Sequence, residues 1–167
     1  MLTGYFTPEQ SADTHLNRDL LYGLGEFGVD MTLITPFPTR GVSREEQDRY
    51  LAKTDERISE HIRVMRIGKH GNYHKDLFRK GLNLMQKSWR MYAAARRTTP
   101  DIFVITSTPH FLGYAAALLS GKAPVVYKLQ DVFPDSLVHS KGLSEKNPLI
   151  RLLRKLEKWV YKKCMCI

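Results

Sequence analysis

Three short stretches carry the residues with usable chemistry: YFTPEQSAD at 5–13, TSTPHFLG at 106–113 and LQDVFPDS at 129–136. Each sets a proline beside hydroxyls, carboxylates or an imidazole. Thr7, Glu9, Ser11, Ser107, His110 and Asp135 can hydrogen-bond a polar ligand, and proline fixes the shape of the loop that presents them. Asp131 follows the apolar run at 125–129. A carboxylate there can take a proton from a hydroxyl within hydrogen-bond reach. The same residue types also build ordinary strand-to-helix turns. Spacing alone leaves both readings open, a ligand-binding edge and a set of structural turns.

Other reactive groupings are weak. No G-x-x-x-x-G-K-[ST] occurs, and no G-x-G-x-x-G follows the first strand-like run. The glycines of YGLGEFG fall in and after a helical pattern. His70 and His74 are four apart, but Gly71 and Asn72 break the helix that would align them as ligands, so no metal is expected. No other cofactor is implied. Cys164 and Cys166 are one residue apart and do not form a disulfide framework, which fits a reducing cytoplasm. The terminal CMCI has the outline of a prenylation box, but Cys166 stands where an aliphatic residue belongs.

The elements that position these loops can be read from periodicity. MLTGYF begins as a strand. Asp13 or Thr14 can cap a helix from His15 to about Phe27, with Leu16, Leu20, Leu24 and Phe27 at helical spacing and Gly28 closing it. VDMTLIT is β-rich, 43–53 is a possible helix, and IRVMRI alternates as a half-exposed strand. Residues 76–97 form a long basic helix, DIFVITS and APVVYKL read as buried strands, and 110–120 and 148–163 as helices. Alternating strands and helices predict an α/β fold, with an open, mostly parallel Rossmann-like sheet and helices on both faces. In such a sheet the three loops lie beyond the carboxyl ends of strands, where ligands bind. CMCI looks like the opening of one more strand, which suggests a domain cut from a longer protein.

The chain has 167 residues, enough for one domain with a sizeable core, and no apolar run near the roughly 20 residues a membrane span needs. Its net charge of +9 is unevenly spread: −5 over residues 1–60, +9 over 61–97 and +5 over 98–167. Localised basicity points to a polyanionic partner. Two basic segments are amphipathic, 75–97 and 147–164. In the second, Leu149, Ile150, Leu152, Leu153, Leu156, Trp159 and Val160 share a face. Arg79, Lys80, Lys87, Arg90, Arg154, Lys155 and Lys158 are the candidates for contact with an anionic membrane surface. Tyr73, Trp89 and Tyr92 lie among basic residues and could instead stack bases. A non-enzymatic basic α/β module binding nucleic acid or anionic lipid is thus the alternative to an enzyme.

Five motifs in order resemble the amino-terminal domain of family 4 glycosyltransferases of the GT-B fold, closest to the bacterial capsule, O-antigen and exopolysaccharide branch. They are YFTPE, LLYGLGEFGVDMTLITPFP, PDIFVITSTPHFLG, LQDVFPDS and LLRKLEKWVYKKCMCI. The resemblance implies that residues 1–167 are the acceptor-side half of a retaining enzyme. Such an enzyme moves a sugar from a nucleotide-sugar to a lipid-linked or polysaccharide acceptor at the cytoplasmic membrane. The donor would bind a carboxy-terminal domain that this stretch lacks, leaving the half inactive alone. Asp131 would orient or deprotonate the acceptor hydroxyl, with Thr7, Glu9, Ser11, Ser107, His110 and Asp135 lining the edge and no nucleic acid involved. The sequence departs from the family where adjacent glycines usually approach the donor diphosphate. Gln10, Ser11, Ala12 and Asp13 stand there, and Asp13 repels phosphate.

Overall fold

The computed structural model describes residues 1–68, 77–141 and 144–167. His70, Tyr73 and His74 lie outside the described residues, as does the side chain of Lys80. The fold is α/β, with small, mostly parallel sheets of Rossmann-like character. It divides into two compact units, Met1–Thr98 and Thr99–Ile167.

The first unit holds α1 (Ala12–Glu26), β1 (Met31–Pro36), α2 (Arg44–Leu51), β2 (Asp55–Arg57), β3 (Ile62–Ile67) and α3 (Leu77–Ala95). The sheet order is β1-β3-β2, with β1 and β3 parallel and β2 antiparallel to β3. The expected opening strand is reduced to one parallel bridge, Leu2 with Ile34. β2 was not foreseen, since its three charged residues carry no strand pattern.

Parallel register sets Met31, Leu33 and Thr35 beside Ile62, Val64 and Arg66, all six buried on one face of the sheet. Gly25 of α1 packs against that face: a Cβ there would come within 2.9 Å of the Ile62 side chain. Helix α1 starts earlier than expected and is capped by Ser11, whose Oγ accepts the Thr14 N–H at 3.3 Å. Its buried residues are Thr14, Asn17, Leu21 and Gly25, while Leu16 and Phe27 are exposed. The polar half of that face is satisfied internally, because the Asn17 amide donates to Thr3 Oγ1 at 2.8 Å. Gly28, at φ +77, closes the helix as expected.

The second unit holds β4 (Phe103–Thr106), α4 (Phe111–Leu119), β5 (Val125–Lys128), α5 (Asp135–Lys141) and α6 (Pro148–Lys163). β4 and β5 are parallel, and Cys166 bridges to Val126 in the same sense, so the strand expected at CMCI is a single parallel bridge. Helix α4 packs on both strands and on α6. Gly113 permits that closeness, since a Cβ there would lie 2.7 Å from the hydroxyl of the buried Tyr127. Asn147 caps α6 and Pro148 takes its first turn, so the helix begins where the sequence indicates. Its apolar face divides: Ile150 and Val160 are buried, whereas Leu149, Leu152 and Trp159 are exposed.

Candidate functional site

The candidate residues form two clusters, one in each unit. In the first unit the turn after Phe6 carries Thr7, Glu9 and Ser11. Glu9 is buried, and its Oε1 accepts the N–H groups of Thr39 at 2.8 Å and Arg40 at 2.9 Å, and the Thr39 hydroxyl at 3.4 Å. Burial pushes its pKa above the ordinary carboxylate range, opposed by the Thr39 and Arg40 N–H groups and by Lys87. Lys87 in turn is held below the usual lysine range by burial, with Glu9 opposing. Glu9 therefore ties the first loop to the segment after β1 and faces a partly desolvated lysine of α3. Ser11 is engaged as the helix cap, and Thr7 is half-buried.

In the second unit the loops after β4 and β5 are joined. Ser107 is buried, and its Oγ accepts the N–H of Gln130 at 2.9 Å and of Asp131 at 3.2 Å. The Thr108 hydroxyl donates to Gln130 Oε1 at 3.0 Å. The His110 ring stacks on Phe133, with centroids 4.3 Å apart. Its Nδ1 is buried and has no hydrogen-bond partner among the described residues. Burial pushes His110 below the usual imidazole range, with Asp131 acting in the opposite direction, which leaves the ring neutral at physiological pH. Asp131 itself is exposed. A fixed loop thus presents an exposed carboxylate beside a neutral imidazole, a pairing suited to orienting a hydroxyl and receiving its proton.

Asp135 is engaged elsewhere. Its Oδ1 accepts two hydrogen bonds from Arg154 of α6, at 3.0 and 2.8 Å. The same pairing occupies Arg154, which also lies 3.6 Å from Glu145. Of the other basic candidates, Arg79, Lys155 and Lys158 are exposed, Arg90 is half-buried and Lys87 faces Glu9. Gln130 and Thr108 were missed by sequence reading. The signal available was that a buried serine after a strand needs donors to satisfy it, and the loop one strand over supplies them.

No group of His, Cys, Asp or Glu residues able to hold a metal occurs among the described residues. No described helix is long and apolar enough to cross a membrane. The family model for the glycosyl transferase 4-like domain matches residues 15–167. No curated protein and no solved structure matches the chain.

Proposed function

Because the chain belongs to the glycosyl transferase 4-like domain family, we propose that it is the acceptor-binding half of a retaining glycosyltransferase, with Asp131 at the acceptor hydroxyl. The observation that carries this reading is the Ser107 hydroxyl holding the Asp131 backbone while its carboxylate stays exposed beside His110. In the transfer, the acceptor oxygen bonds to the anomeric carbon as the bond to the nucleotide diphosphate breaks. The hydroxyl proton passes to Asp131, or to the leaving phosphate oxygen while Asp131 orients the attack. His110, neutral and stacked on Phe133, offers a hydrogen-bond partner to the same acceptor. A second domain holds the nucleotide-sugar.

The test is turnover in the chain joined to its nucleotide-binding domain. Asp131→Asn is expected to lower kcat by about a hundredfold or more, the usual contribution of a positioned acid–base group. Unchanged turnover removes Asp131 from the mechanism.

A second feature supports a lipid-linked acceptor of the capsule or O-antigen type. Leu149, Leu152 and Trp159 remain exposed on α6 beside Lys155 and Lys158, and Leu82, Met85 and Trp89 remain exposed on α3. An apolar stripe flanked by cations suits an anionic membrane interface, which supports a peripheral location at the cytoplasmic face of the membrane. Co-sedimentation with anionic vesicles at low salt is the expected result. Binding to single-stranded RNA without vesicle binding would favour the nucleic-acid module instead.

A further inference from the structure

The first unit contains two buried polar groups that find no partner among the described residues. Arg66 ends the face begun by Ile62 and Val64, and its side chain is only 2% exposed. The one hydrogen bond of that side chain among the described residues is from Nη2 to Glu56 Oε1, at 3.1 Å. Among the described residues its buried Nε has no partner, and neither has the buried hydroxyl of Thr35. Thr35 is the register partner of Arg66 across β1 and β3, so both side chains stand on one face, at the carboxyl ends of parallel strands. Buried donors are ordinarily paired, and two unpaired ones side by side call for a shared acceptor.

The charge around them is unbalanced. Lys53 lies 3.6 Å from the other oxygen of Glu56, so two cations share one carboxylate. They also share one ring: the Arg66 guanidinium lies 4.7 Å and Lys53 Nζ 5.4 Å from the centre of Tyr50. Asp55, the adjacent acid, is taken by a two-pronged bond from Arg63. An arginine fork, a hydroxyl and a surplus cation together match an anion with several oxygens, a phosphate or diphosphate group. Tyr50 belongs to α2, a helix with no buried residue. So small a packing interface is what a mobile element has.

We propose that Arg66, Thr35 and Lys53 form a covered binding site for a diphosphate group, with α2 and its Tyr50 ring as the cover. The site is independent of the acceptor chemistry at Asp131 and would hold its anion even if that reading failed.

Titration calorimetry and thermal unfolding of the whole chain with inorganic pyrophosphate test it. Arg66→Lys is expected to weaken binding on the order of tenfold, because the planar fork is lost while the charge stays. Thr35→Val is expected to raise the Tm of the free protein, by removing an unpaired hydroxyl, yet to weaken pyrophosphate binding about threefold. Tyr50→Ala should tighten binding about threefold by lifting the cover. If Arg66→Lys does not fold, the Thr35 and Tyr50 variants decide the matter. A Thr35→Val protein with raised Tm and undiminished affinity would overturn the site. So would failure of both the native protein and Tyr50→Ala to bind pyrophosphate. Binding lost only in a Lys158→Met/Lys162→Met variant would assign it to the surface of α6 and overturn it equally. Tighter binding of geranyl diphosphate than of uridine diphosphate would identify a lipid-borne source, and the reverse a nucleotide.

Discussion

Glu9 and Asp131 stand in loops of the same kind, each a carboxylate close to a proline, and the two units treat them oppositely. Glu9 is buried and accepts three hydrogen bonds on one oxygen. Asp131 is exposed, and it is its backbone N–H that is held, by Ser107. In the first loop the carboxylate is the fastener. In the second a buried hydroxyl fastens the loop, and the carboxylate is left exposed. The difference lies in which group satisfies the backbone donors of the neighbouring loop. A carboxylate that does so is committed to the fold, while one whose loop is fixed by another residue is available for chemistry.

The sharpest way to break this comparison is Glu9→Ala. It would orphan the Thr39 and Arg40 N–H groups and leave Lys87 without its compensating charge, costing about 2–4 kcal/mol of unfolding free energy. Urea denaturation measures it. Glu9→Gln keeps an acceptor for the N–H groups and should recover more than half of that loss. If Glu9→Ala were as stable as the native chain, the fastening role would be wrong. Ser107→Ala comes next. It leaves two N–H groups of the second loop unmatched at a cost of about 1–3 kcal/mol. Ser107→Thr, which restores a hydroxyl, separates that loss from simple cavity formation. A shift of the His110 imidazole signals by NMR in Ser107→Ala would report release of the loop.

The order of strands and helices was legible because it rests on period and on punctuation by Gly and Pro. IRVMRI and the helix at 148–163 match β3 and α6 residue for residue. The core face of α1 was not legible. Leu16 and Phe27 have the right spacing, yet Thr14 and Asn17 are buried instead, because Asn17 finds Thr3, a contact 14 residues away in sequence. The division of roles between Glu9 and Asp131 was hidden for the same reason, since the partners of Glu9 lie 30 residues on. Arg66 did leave a trace: period two in IRVMRI already sets it on the side of Ile62 and Val64.

A third carboxylate sharpens the contrast through pH. Glu157 of α6 is buried too. Burial pushes its pKa above the ordinary value of 4.5, with Tyr161 opposing, and burial also pushes the phenols of Tyr127 and Tyr161 upward. A carboxyl whose folded pKa exceeds its unfolded one binds more protons folded than unfolded between those two values. Stability therefore falls as pH rises through that window. Glu157→Gln removes the titrating group, so its stability relative to the native protein should grow as pH rises from 4.5 through the raised pKa of Glu157. Thermal unfolding of both proteins across that range gives the comparison, and parallel curves would show that Glu157 does not titrate there.

The smallest expected change in stability is at Asp131. An exposed side chain with its loop held by other atoms should tolerate Asp131→Asn within about 0.5 kcal/mol. That small number carries the functional argument, because a residue can be spent on a ligand only if the fold does not depend on it. Destabilisation comparable to that of Ser107→Ala would mean that Asp131 shapes its loop, as Glu9 does. Stability close to native, together with the loss of turnover expected in the complete enzyme, would separate the two carboxylates by role. His110 supplies the internal control. Loss of the neighbouring negative charge in Asp131→Asn should lower the His110 pKa further, since Asp131 opposes the effect of burial there. An NMR titration of His110 unmoved by the substitution would show that the two groups do not share a site.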